Sequence, residues 1–565
     1  MSALADFVTS SATNYLQSVV FVDDHIYHKD DKPMETAVIP GGLKPQFSPP
    51  EAENPAEAEE IVEEPAKSDD GNEDEGEENY HPRQLMESFA QKGIVCALYE
   101  PREQFSTGAG SELFRLCERA DVIILDWDLH KDGGDGVSQL LSELIKKSQS
   151  ESPHHVRLCA IYTTQQSLHN VVSSLLSKLE SEGCEVEVEE GKLCLIAGAT
   201  RISVFGKPSA LTRVEEEKPY EILETELANT IIAQFAELHH GVLPAFALHG
   251  LASVRRNTKR LLDKFSGDLD GAFLLHRALV LEESEAFQEL PELLSDEIRA
   301  IIEDSWQDSF SIEDIAASAA DGLDLADPTP RWTNQGVDID WKQVFGKFLK
   351  EGRKALYEAR ENCELLKEMK KDSYVGIKPR LLKSLESMLV REGKSGPESL
   401  SALFCNRTQY GGGLRSLHFG TIVRHRTAGT SDWNYSLCLM PICDSQRLRG
   451  SKNFPFWQLK DNVKQGLEQR RYGVAIDVDG VAKSLAAGGK MREMLWIASF
   501  TPDESEWVTA SQNEGVFQFD TTDIEVQWVA ELKPLHAQRI AAHMGTDVSR
   551  VGLVESEWLR LFCDR

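Results

Sequence analysis

The sequence predicts an α/β protein that begins with a doubly wound parallel sheet and continues with an all-α segment and a C-terminal mixed α+β module. Three observations support this fold class. Up to about residue 206, short β-branched runs alternate with helix-like stretches. Between about 220 and 306, apolar residues recur every three to four positions, and strand-like runs return beyond 396. A chain of 565 residues is long enough for several domains with separate cores.

The predicted first domain covers residues 1–212 and opens on a buried strand, Val19-Val20-Phe21-Val22. Helices are then predicted at 81–92, 111–120, 137–147 and 168–181, and strands at 94–99, 122–125, 158–162 and 202–205, with an extra hairpin near 185–196. Strands that alternate with helices across short connections are typical of a parallel sheet.

The rest of the chain divides by composition. We predict a helical segment at 213–320, a linker at 321–340 that contains Asp-Pro-Thr-Pro, a helical connector at 341–395 and an α+β module at 396–565. Strands of that module are predicted at 421–424, 437–441, 472–477, 494–500 and 516–520, and its helices at 534–544 and 554–562.

An acidic stretch interrupts the first domain at about residues 29–79. It is poor in aromatic and aliphatic residues, and between 51 and 78 it holds 14 acidic residues and one lysine, so it carries −13 of the formal charge of −33. Such a composition cannot bury enough apolar surface to fold, so we predict a disordered insertion. The acidic total disfavours a general affinity for nucleic acid or anionic membranes.

The ten cysteines form neither a disulfide framework nor a zinc-ligand spacing, because no C-x-x-C pair occurs and several lie in apolar runs. No apolar stretch approaches the roughly 18–20 residues that a membrane span needs, and the N-terminus lacks a basic leader with an apolar centre. We therefore expect a cytoplasmic protein with reduced thiols and no membrane partner.

Each predicted parallel strand that carries chemistry ends in a polar group. Asp23 and Asp24 follow the first strand, Asp126 the third, Thr163 the fourth and Lys207 the fifth. The carboxyl ends of parallel strands line one crevice, so these groups should converge. Carboxylates suit Mg²⁺, and an ammonium with a hydroxyl can stabilise a phosphoryl group that is transferred to an aspartate.

Residues 19–208 resemble the receiver domain of two-component response regulators, which has a flavodoxin-like fold. The resemblance rests on Asp-Asp after the first strand, Ile-Leu-Asp-Trp-Asp-Leu after the third, Thr after the fourth and Lys-Pro after the fifth. It implies that Asp126 accepts the phosphoryl group, while Thr163 binds a phosphoryl oxygen and Lys207 pairs with the phosphoryl charge. Gly133, Gly134 and Gly136 fit the turn that usually follows the acceptor.

The same resemblance implies a Mg²⁺ site. Asp24, Asp126 and the backbone carbonyl of Asp128 would bind the ion directly, and Asp23 would act through a metal-bound water. The Asp128 carboxylate adds negative charge near the route of an attacking water, so we expect it to alter the phosphoryl lifetime. Val204 stands where many regulators place an aromatic switch residue, which argues against the usual Thr-to-aromatic output switch.

The sequence of the C-terminal half is compatible with two kinds of function, a binding surface and an enzymatic site. Residues 407–471 carry a net charge of +7 with interleaved aromatic residues, which is typical of a nucleic-acid surface or, as we prefer, of a patch that faces an acidic loop or partner. Cys443-Asp444-Ser445, with His418, His425 and His536 elsewhere, would allow a nucleophile and a base on paper.

Over its whole length the chain resembles the stand-alone receiver proteins of the Detocs two-component-like anti-phage defence system. This resemblance implies a non-enzymatic phosphate sink that takes phosphoryl groups from a sensor histidine kinase and loses them by Mg²⁺-dependent self-dephosphorylation. A second receiver-effector protein of the same operon would then respond only to sustained activation. The alternative is a response regulator whose C-terminal half binds nucleic acid, an unlikely partner on overall charge, or acts as an enzyme.

Overall fold

The structure is a computed structural model that divides into two compact units, residues 1–321 and 322–565. It describes residues 2–26, 82–102, 105–151, 157–189, 191–198, 200–208, 213–280, 283–307, 310–327, 333–334, 337–338, 340–359, 386–389, 397–410, 414–427, 429–461, 473–478, 481–487, 494–513, 515–521 and 524–549. The predicted insertion at 29–79 and the predicted helix at 554–562 lie outside the described residues. Among the described helices, none has both the length and the apolar character to cross a membrane.

The first unit contains a seven-stranded sheet in the order β2-β1-β3-β4-β7-β6-β5. Its strands are β1 (Ser18–Val22), β2 (Val95–Tyr99), β3 (Val122–Leu125), β4 (Arg157–Thr163), β5 (Glu187–Val188), β6 (Cys194–Ala197) and β7 (Thr200–Gly206). The five strands from β2 to β7 in that order are parallel, whereas the β5–β6 hairpin adds to the β7 edge in antiparallel fashion. This arrangement confirms the predicted doubly wound sheet.

The helices of the first unit are α1 (Ala3–Tyr15), α2 (Pro82–Ala90), α3 (Glu112–Arg119), α4 (Asp135–Glu151), α5 (Leu168–Ser181), α6 (Glu224–Leu238), α7 (Val242–Arg256), α8 (Thr258–Lys264), α9 (Asp270–Leu279), α10 (Glu283–Gln307) and α11 (Ile312–Asp321). Helix α1 was not predicted. It begins at the Ser2 side chain, which caps the Ala5 amide, and it buries Phe7 against Trp306 and Phe310.

Both faces of this sheet are buried, because side chains alternate along each strand. Val20 and Val22 of β1 belong to one cluster with residues of α3, α4 and α5, whereas Val19 and Phe21 belong to another with α1, α2, α6 and α7. The helical segment beyond residue 213 therefore shares a core with the sheet. Because helices bury both faces of the sheet, polar side chains can cluster at the ends of its strands.

The second unit contains a ten-stranded sheet in the order β10-β17-β18-β19-β11-β12-β13-β15-β14, with β16 paired to β13. Its strands are β10 (Arg415–Ser416), β11 (Thr421–Thr427), β12 (Asn434–Cys438), β13 (Lys452–Asp461), β14 (Gly473–Val478), β15 (Val481–Ala486), β16 (Leu495–Phe500), β17 (Thr509–Asn513), β18 (Val516–Phe519) and β19 (Ile524–Glu531). All the pairings among its described strands are antiparallel. The predicted α+β module is confirmed, although β10, β13, β15, β17 and β19 were not predicted.

The described helices of the second unit are α12 (Trp341–Glu351), α13 (Arg353–Ala359), α14 (Pro397–Cys405) and α15 (Pro534–Ser549). A short antiparallel pair, β8 (Thr333–Asn334) with β9 (Val337–Asp338), lies inside the range predicted as a linker. One apolar cluster joins α14 and α15 to the sheet, and a second lies on the opposite side of the strands. The strands thus have apolar partners on both faces.

Candidate functional site

Three polar groups that follow the parallel strands meet at one edge of the first sheet. The Asp126 N–H donates to the carbonyl of Val22 over 2.8 Å, which places the end of β3 beside the end of β1. The Lys207 N–H donates to the carbonyl of Thr163 over 2.8 Å, which places the end of β7 beside the end of β4. The backbone pairing alone therefore brings together residues that are far apart in the chain.

Lys207 forms a buried ion-paired cluster with two aspartates. Its Nζ atom lies 2.6 Å from Asp23 Oδ2 and 2.9 Å from Asp126 Oδ1. The exposed fraction of the side chain is 10% for Lys207, 1% for Asp23 and 11% for Asp126. A buried ammonium between two carboxylates satisfies both acceptors, and it would be left as an uncompensated charge without them.

Burial and charge act in opposite directions on these groups. Burial raises the pKa of the Asp126 carboxyl, and the nearby Asp23 carboxylate raises it as well, while Lys207 counteracts the rise. Burial lowers the pKa of Lys207, but the attraction of Asp126 and Asp23 outweighs this and raises it above its usual range. The lysine thus stays charged, and the Asp126 carboxylate is more basic than an exposed aspartate.

Asp24 lies next to Asp23 but has different partners. Its Oδ2 atom accepts the backbone N–H of His130 over 2.8 Å, and its Oδ1 atom lies 3.2 Å from Nδ1 of His25. The His130 ring donates from Nε2 to the carbonyl of Pro101 over 2.9 Å, because a carbonyl can only accept. Its Nδ1 atom lies 3.3 Å from Asp24 Oδ2.

His130 adopts an unusual backbone conformation to make these contacts. Its φ angle is +54°, and that of Lys131 is +62°, so two successive non-glycine residues are left-handed. This conformation costs about 1–2 kcal/mol per residue. It aims the His130 amide at Asp24, and such local strain commonly accompanies functional sites.

The donor atoms at this edge fit a divalent cation. Asp23, Asp24 and His25 offer ligand atoms that all lie within 4.8 Å of one another. Asp24 Oδ1 is buried and accepts no hydrogen bond, although buried carboxylate oxygens normally find a donor, and its ion-pair neighbour is Nδ1 of the largely exposed His25. Carboxylate oxygens suit Mg²⁺, and such an ion would satisfy this oxygen.

The loop after Asp126 is held by its own aspartates. Asp126 Oδ2 accepts the Asp128 N–H over 3.0 Å, and Asp128 Oδ1 accepts the Gly133 N–H over 2.7 Å. The Asp128 carboxylate is therefore engaged in the turn. Gly134, with φ of +81°, lies against Trp127 so closely that a Cβ atom would overlap the indole ring. These contacts support the predicted glycine turn, in which the Asp128 carbonyl accepts the Lys131 N–H over 3.2 Å.

Thr163 ends β4 beside the lysine strand, with 1% of its surface exposed. Its Oγ1 atom accepts the Gln165 N–H over 3.3 Å. Val204 is fully buried in β7, and the ring centroid of Tyr162 lies 5.8 Å from Lys207 Nζ. Tyr162 donates its hydroxyl to the carbonyl of Ile222 over 2.8 Å.

The structure thus gathers the predicted site residues to different degrees. Asp23 and Asp126 both contact Lys207, Asp24 follows Asp23 in the chain, and Thr163 lies at the neighbouring strand end. The sequence analysis missed three residues that touch these groups, namely His25, His130 and Arg213. His25 follows Asp-Asp directly and could have been noticed there, whereas the other two carry no local signal.

Comparison with known proteins agrees with this geometry. Residues 15–212 match the family model of the response receiver domain. The chain contains a receiver domain. It is accordingly a phospho-accepting, response-regulator-like protein of the two-component type, whose partner in general is a kinase or another two-component protein. Searches among curated proteins and among solved structures give no match for the chain.

The arginines of the basic region in the second unit pack on aromatic rings of their own sheet. Arg424 and Arg426 lie 5.0 and 4.4 Å from the centroid of Trp433, and Arg426 pairs with Glu525 over 2.6 Å. Arg415 lies 4.8 Å from the centroid of Phe517. Part of the predicted positive patch is thus engaged in cation–π contacts. Its members Lys464, Arg470 and Arg471 lie outside the described residues.

The residues that could form an enzymatic site in the second unit are either exposed or hydrogen-bonded to other groups. Cys443 is exposed in a short 3-10 turn, and Ser445 donates its hydroxyl to the carbonyl of Ile442 over 2.8 Å. His418 bonds the carbonyl of Phe419 over 2.9 Å. His425 bonds the hydroxyl of Ser436, also over 2.9 Å. Each of these contacts engages one ring nitrogen of its histidine.

Proposed function

We propose that the protein accepts a phosphoryl group from a sensor histidine kinase onto Asp126. The observation that carries this proposal is the position of Asp126 at the carboxyl edge of the sheet, with Lys207 on one oxygen and the Asp128 amide on the other. This arrangement holds the carboxylate in one orientation, which favours its attack on a phosphorus atom presented in line with it.

In the transfer, a carboxylate oxygen of Asp126 attacks the phosphorus of the phosphohistidine in line with the leaving nitrogen. The O–P bond forms as the N–P bond breaks, and the imidazole leaves with the electron pair of that bond and takes up a proton. Lys207, which contacts Asp126, and the Thr163 hydroxyl at the neighbouring strand end would stabilise charge on the equatorial phosphoryl oxygens. Attack of water on the phosphorus later returns free Asp126 and inorganic phosphate.

We assign the cation site of this reaction to Asp24, Asp126 and the backbone carbonyl of Asp128, with Asp23 as a ligand through water. The buried Oδ1 atom of Asp24, which accepts no hydrogen bond, supports this assignment. Mg²⁺ bound there would neutralise charge on the phosphoryl oxygens. His130 would keep Asp24 in place through its amide.

We further infer that the protein buffers signal in an anti-phage defence system by acting as a phosphate sink. The resemblance to the stand-alone Detocs receiver proteins supports this role, and a receiver-effector protein of the same operon would be the competing acceptor. Deleting the protein beside its kinase should then cause toxicity without phage, and Asp126→Asn should behave like the deletion. A harmless deletion that merely removes protection would contradict the sink and favour an output role.

The site assignment is tested by labelling the full chain with a small phosphodonor and with the partner kinase. Asp126→Asn should abolish acid-stable, hydroxylamine-labile label. Asp135→Asn is the matched control, since Asp135 is exposed and pairs only with the surface-facing Lys178 in the described contacts. Retention of the label in Asp126→Asn would overturn the assignment.

A further inference from the structure

Residues 213–222, here called the bridging segment, run across the carboxyl ends of β4 and β7. The Ile222 N–H donates to the carbonyl of Gly206 over 2.9 Å, and Glu221 forms a parallel bridge with the same glycine. The Tyr162 hydroxyl bonds the Ile222 carbonyl over 2.8 Å. The bridging segment therefore covers the two strand ends that present Thr163 and Lys207, and it leads directly into α6.

Arg213 is the central contact of the bridging segment. Its Nη1 atom donates to the Lys207 carbonyl over 2.7 Å, and its Nη2 atom donates to the Thr163 carbonyl over 3.1 Å. Both Nε and Nη2 also reach the carbonyl of Gln165 over 3.3 Å. The side chain is fully buried, and its charge is paired with Glu221, with 3.0 Å between Nη1 and Oε2. One planar fork thus ties together the backbones of two site residues.

The chain makes room for this guanidinium at Gly206. A Cβ atom on Gly206 would lie 2.6 Å from the Cζ atom of Arg213. A side chain at this position would therefore displace the guanidinium or the residue that follows, Lys207. Gly206 at the end of β7 and Arg213 therefore pack closely against each other. Arg213 lies just beyond the predicted limit of the first domain.

Glu217 anchors the middle of the bridging segment to the helix that follows β4. Its Oε1 atom accepts the His169 N–H over 2.9 Å and lies 2.7 Å from Nδ1 of the same residue. Burial acts to raise the pKa of Glu217, but the hydrogen bonds from His169 outweigh it and hold that pKa below its usual range. The bridging segment is thus fixed at both Arg213 and Glu217, and these contacts make it a rigid cover over the strand ends.

We propose that Arg213 is a positioning residue of the phosphoryl pocket, which sets the places of Thr163 and Lys207 through their backbone carbonyls and links the pocket to α6. This inference rests on the proposed phosphoryl transfer to Asp126. Thr163 and Lys207 face the transferred group, whereas the cation site uses Asp24 and Asp126, which Arg213 does not contact in the described structure. The arginine should therefore affect transfer and leave cation binding intact.

The test compares Arg213→Lys with Arg201→Lys in the full chain. Arg201 is a matched control, because it is a buried arginine of the same strand, β7, and it pairs with Glu189 away from the pocket. A lysine cannot bond three carbonyls in a fork, so Arg213→Lys should slow labelling of Asp126 by at least about tenfold. Its Mg²⁺ affinity, measured by calorimetry, should stay within about twofold of the wild-type value, because Arg213 contacts neither Asp24 nor Asp126 in the described structure. A tenfold change in affinity would correspond to about 1.4 kcal/mol of binding free energy.

Each outcome is decisive. Failure of the wild type to label would refute the phosphoryl transfer itself. Wild-type rates in Arg213→Lys, or an equal loss of rate and cation affinity, would refute the positioning role. If Arg213→Lys does not fold, Glu221→Gln takes its place, because it keeps the arginine but weakens the ion pair that holds the guanidinium against the carbonyls. It should slow labelling severalfold at unchanged Mg²⁺ affinity, and an unchanged labelling rate would refute the proposal.

The proposed link between the phosphoryl pocket and α6 can be tested separately by amide hydrogen exchange. Binding of beryllofluoride, a phosphoryl mimic, should slow amide hydrogen exchange in residues 213–222 of the wild type and of Arg201→Lys. The slowing should disappear in Arg213→Lys. Equal protection in all three proteins would contradict the link, because it would show that the bridging segment responds without the arginine.

Discussion

Lys207 and Asp126 form an ion pair with 2.9 Å between Nζ and Oδ1, at a place where the aspartate side chain is 11% exposed and the lysine side chain 10%. The two residues are 81 positions apart in the chain, and the parallel pairing of their strands with β1 and β4 brings them together. The lysine also bonds Asp23. Lys207 should therefore affect both the stability of the first unit and phosphoryl transfer to Asp126.

Lys207→Met should destabilise the first unit strongly in Mg²⁺-free buffer at pH 7. The substitution leaves two buried carboxylates without their cation, which typically costs about 3–5 kcal/mol of unfolding free energy. Denaturant unfolding of the full chain measures the loss. Lys192→Met is the control, because this lysine is 36% exposed in its pairs with Glu189 and Glu237 and should cost below about 1 kcal/mol. Similar losses in both variants would contradict the structural role of the Lys207 cluster.

Asp24→Asn should weaken Mg²⁺ binding about tenfold or more, because it removes the charge from the carboxylate whose Oδ1 atom lacks a hydrogen-bond donor. Asp128→Asn is the matched control. Its carboxylate accepts the Gly133 N–H, and only its backbone carbonyl is assigned to the ion. Calorimetric titration should give this variant an affinity within about twofold of the wild type, since an amide oxygen can still accept that hydrogen bond. A larger effect in Asp128→Asn than in Asp24→Asn would reject the ligand assignment.

Two neighbouring glycines of the turn after Asp126 should differ in their tolerance of alanine. Gly133→Ala meets nothing within 4 Å, so it should cost only the left-handed backbone penalty of about 1–2 kcal/mol. Gly134→Ala has the same kind of penalty, and its Cβ atom also overlaps Trp127. Its excess over Gly133→Ala should be about 1–3 kcal/mol in denaturant unfolding. Equal losses would show that the indole moves aside freely.

His425 should make the stability of the second unit depend on pH. Burial lowers the pKa of this imidazole from 6.5 to about 4. The unfolded chain therefore binds a proton more readily than the folded one, so the contribution of His425 is complete above pH 6.5 and declines as the pH falls from 6.5 towards 4. Its ring lies 4.3 Å from that of Trp496 and bonds the Ser436 hydroxyl, so a charged form is poorly accommodated.

The measurement is the unfolding free energy of the full chain at pH 7.5 and at pH 5, with the unfolding of the second unit followed through Trp496. The difference between the two values should shrink in His425→Gln. His276→Gln, a surface position of the first unit, should leave the difference unchanged. A pH dependence that is the same in wild type and His425→Gln would assign it to other groups.

Local sequence patterns were sufficient for much of the first unit. Short β-branched runs predict β1, β3 and β4 because strand periodicity is a local property. The polar residues at their ends predict one site, because parallel strands of an open sheet share an edge. Asp23, Asp126 and Lys207 meet there for that reason, and the receiver match over residues 15–212 agrees with it.

What the sequence alone determined about this protein is therefore the parallel strands of its first sheet and the polar residues at their ends. The tertiary structure alone decided that α1 and the helices after residue 213 share the core of that sheet, and that Arg213 holds the carbonyls of Thr163 and Lys207. These contacts join residues with no common periodicity. A buried arginine is satisfied by backbone carbonyls that only the folded chain brings within reach, so no local pattern could reveal it.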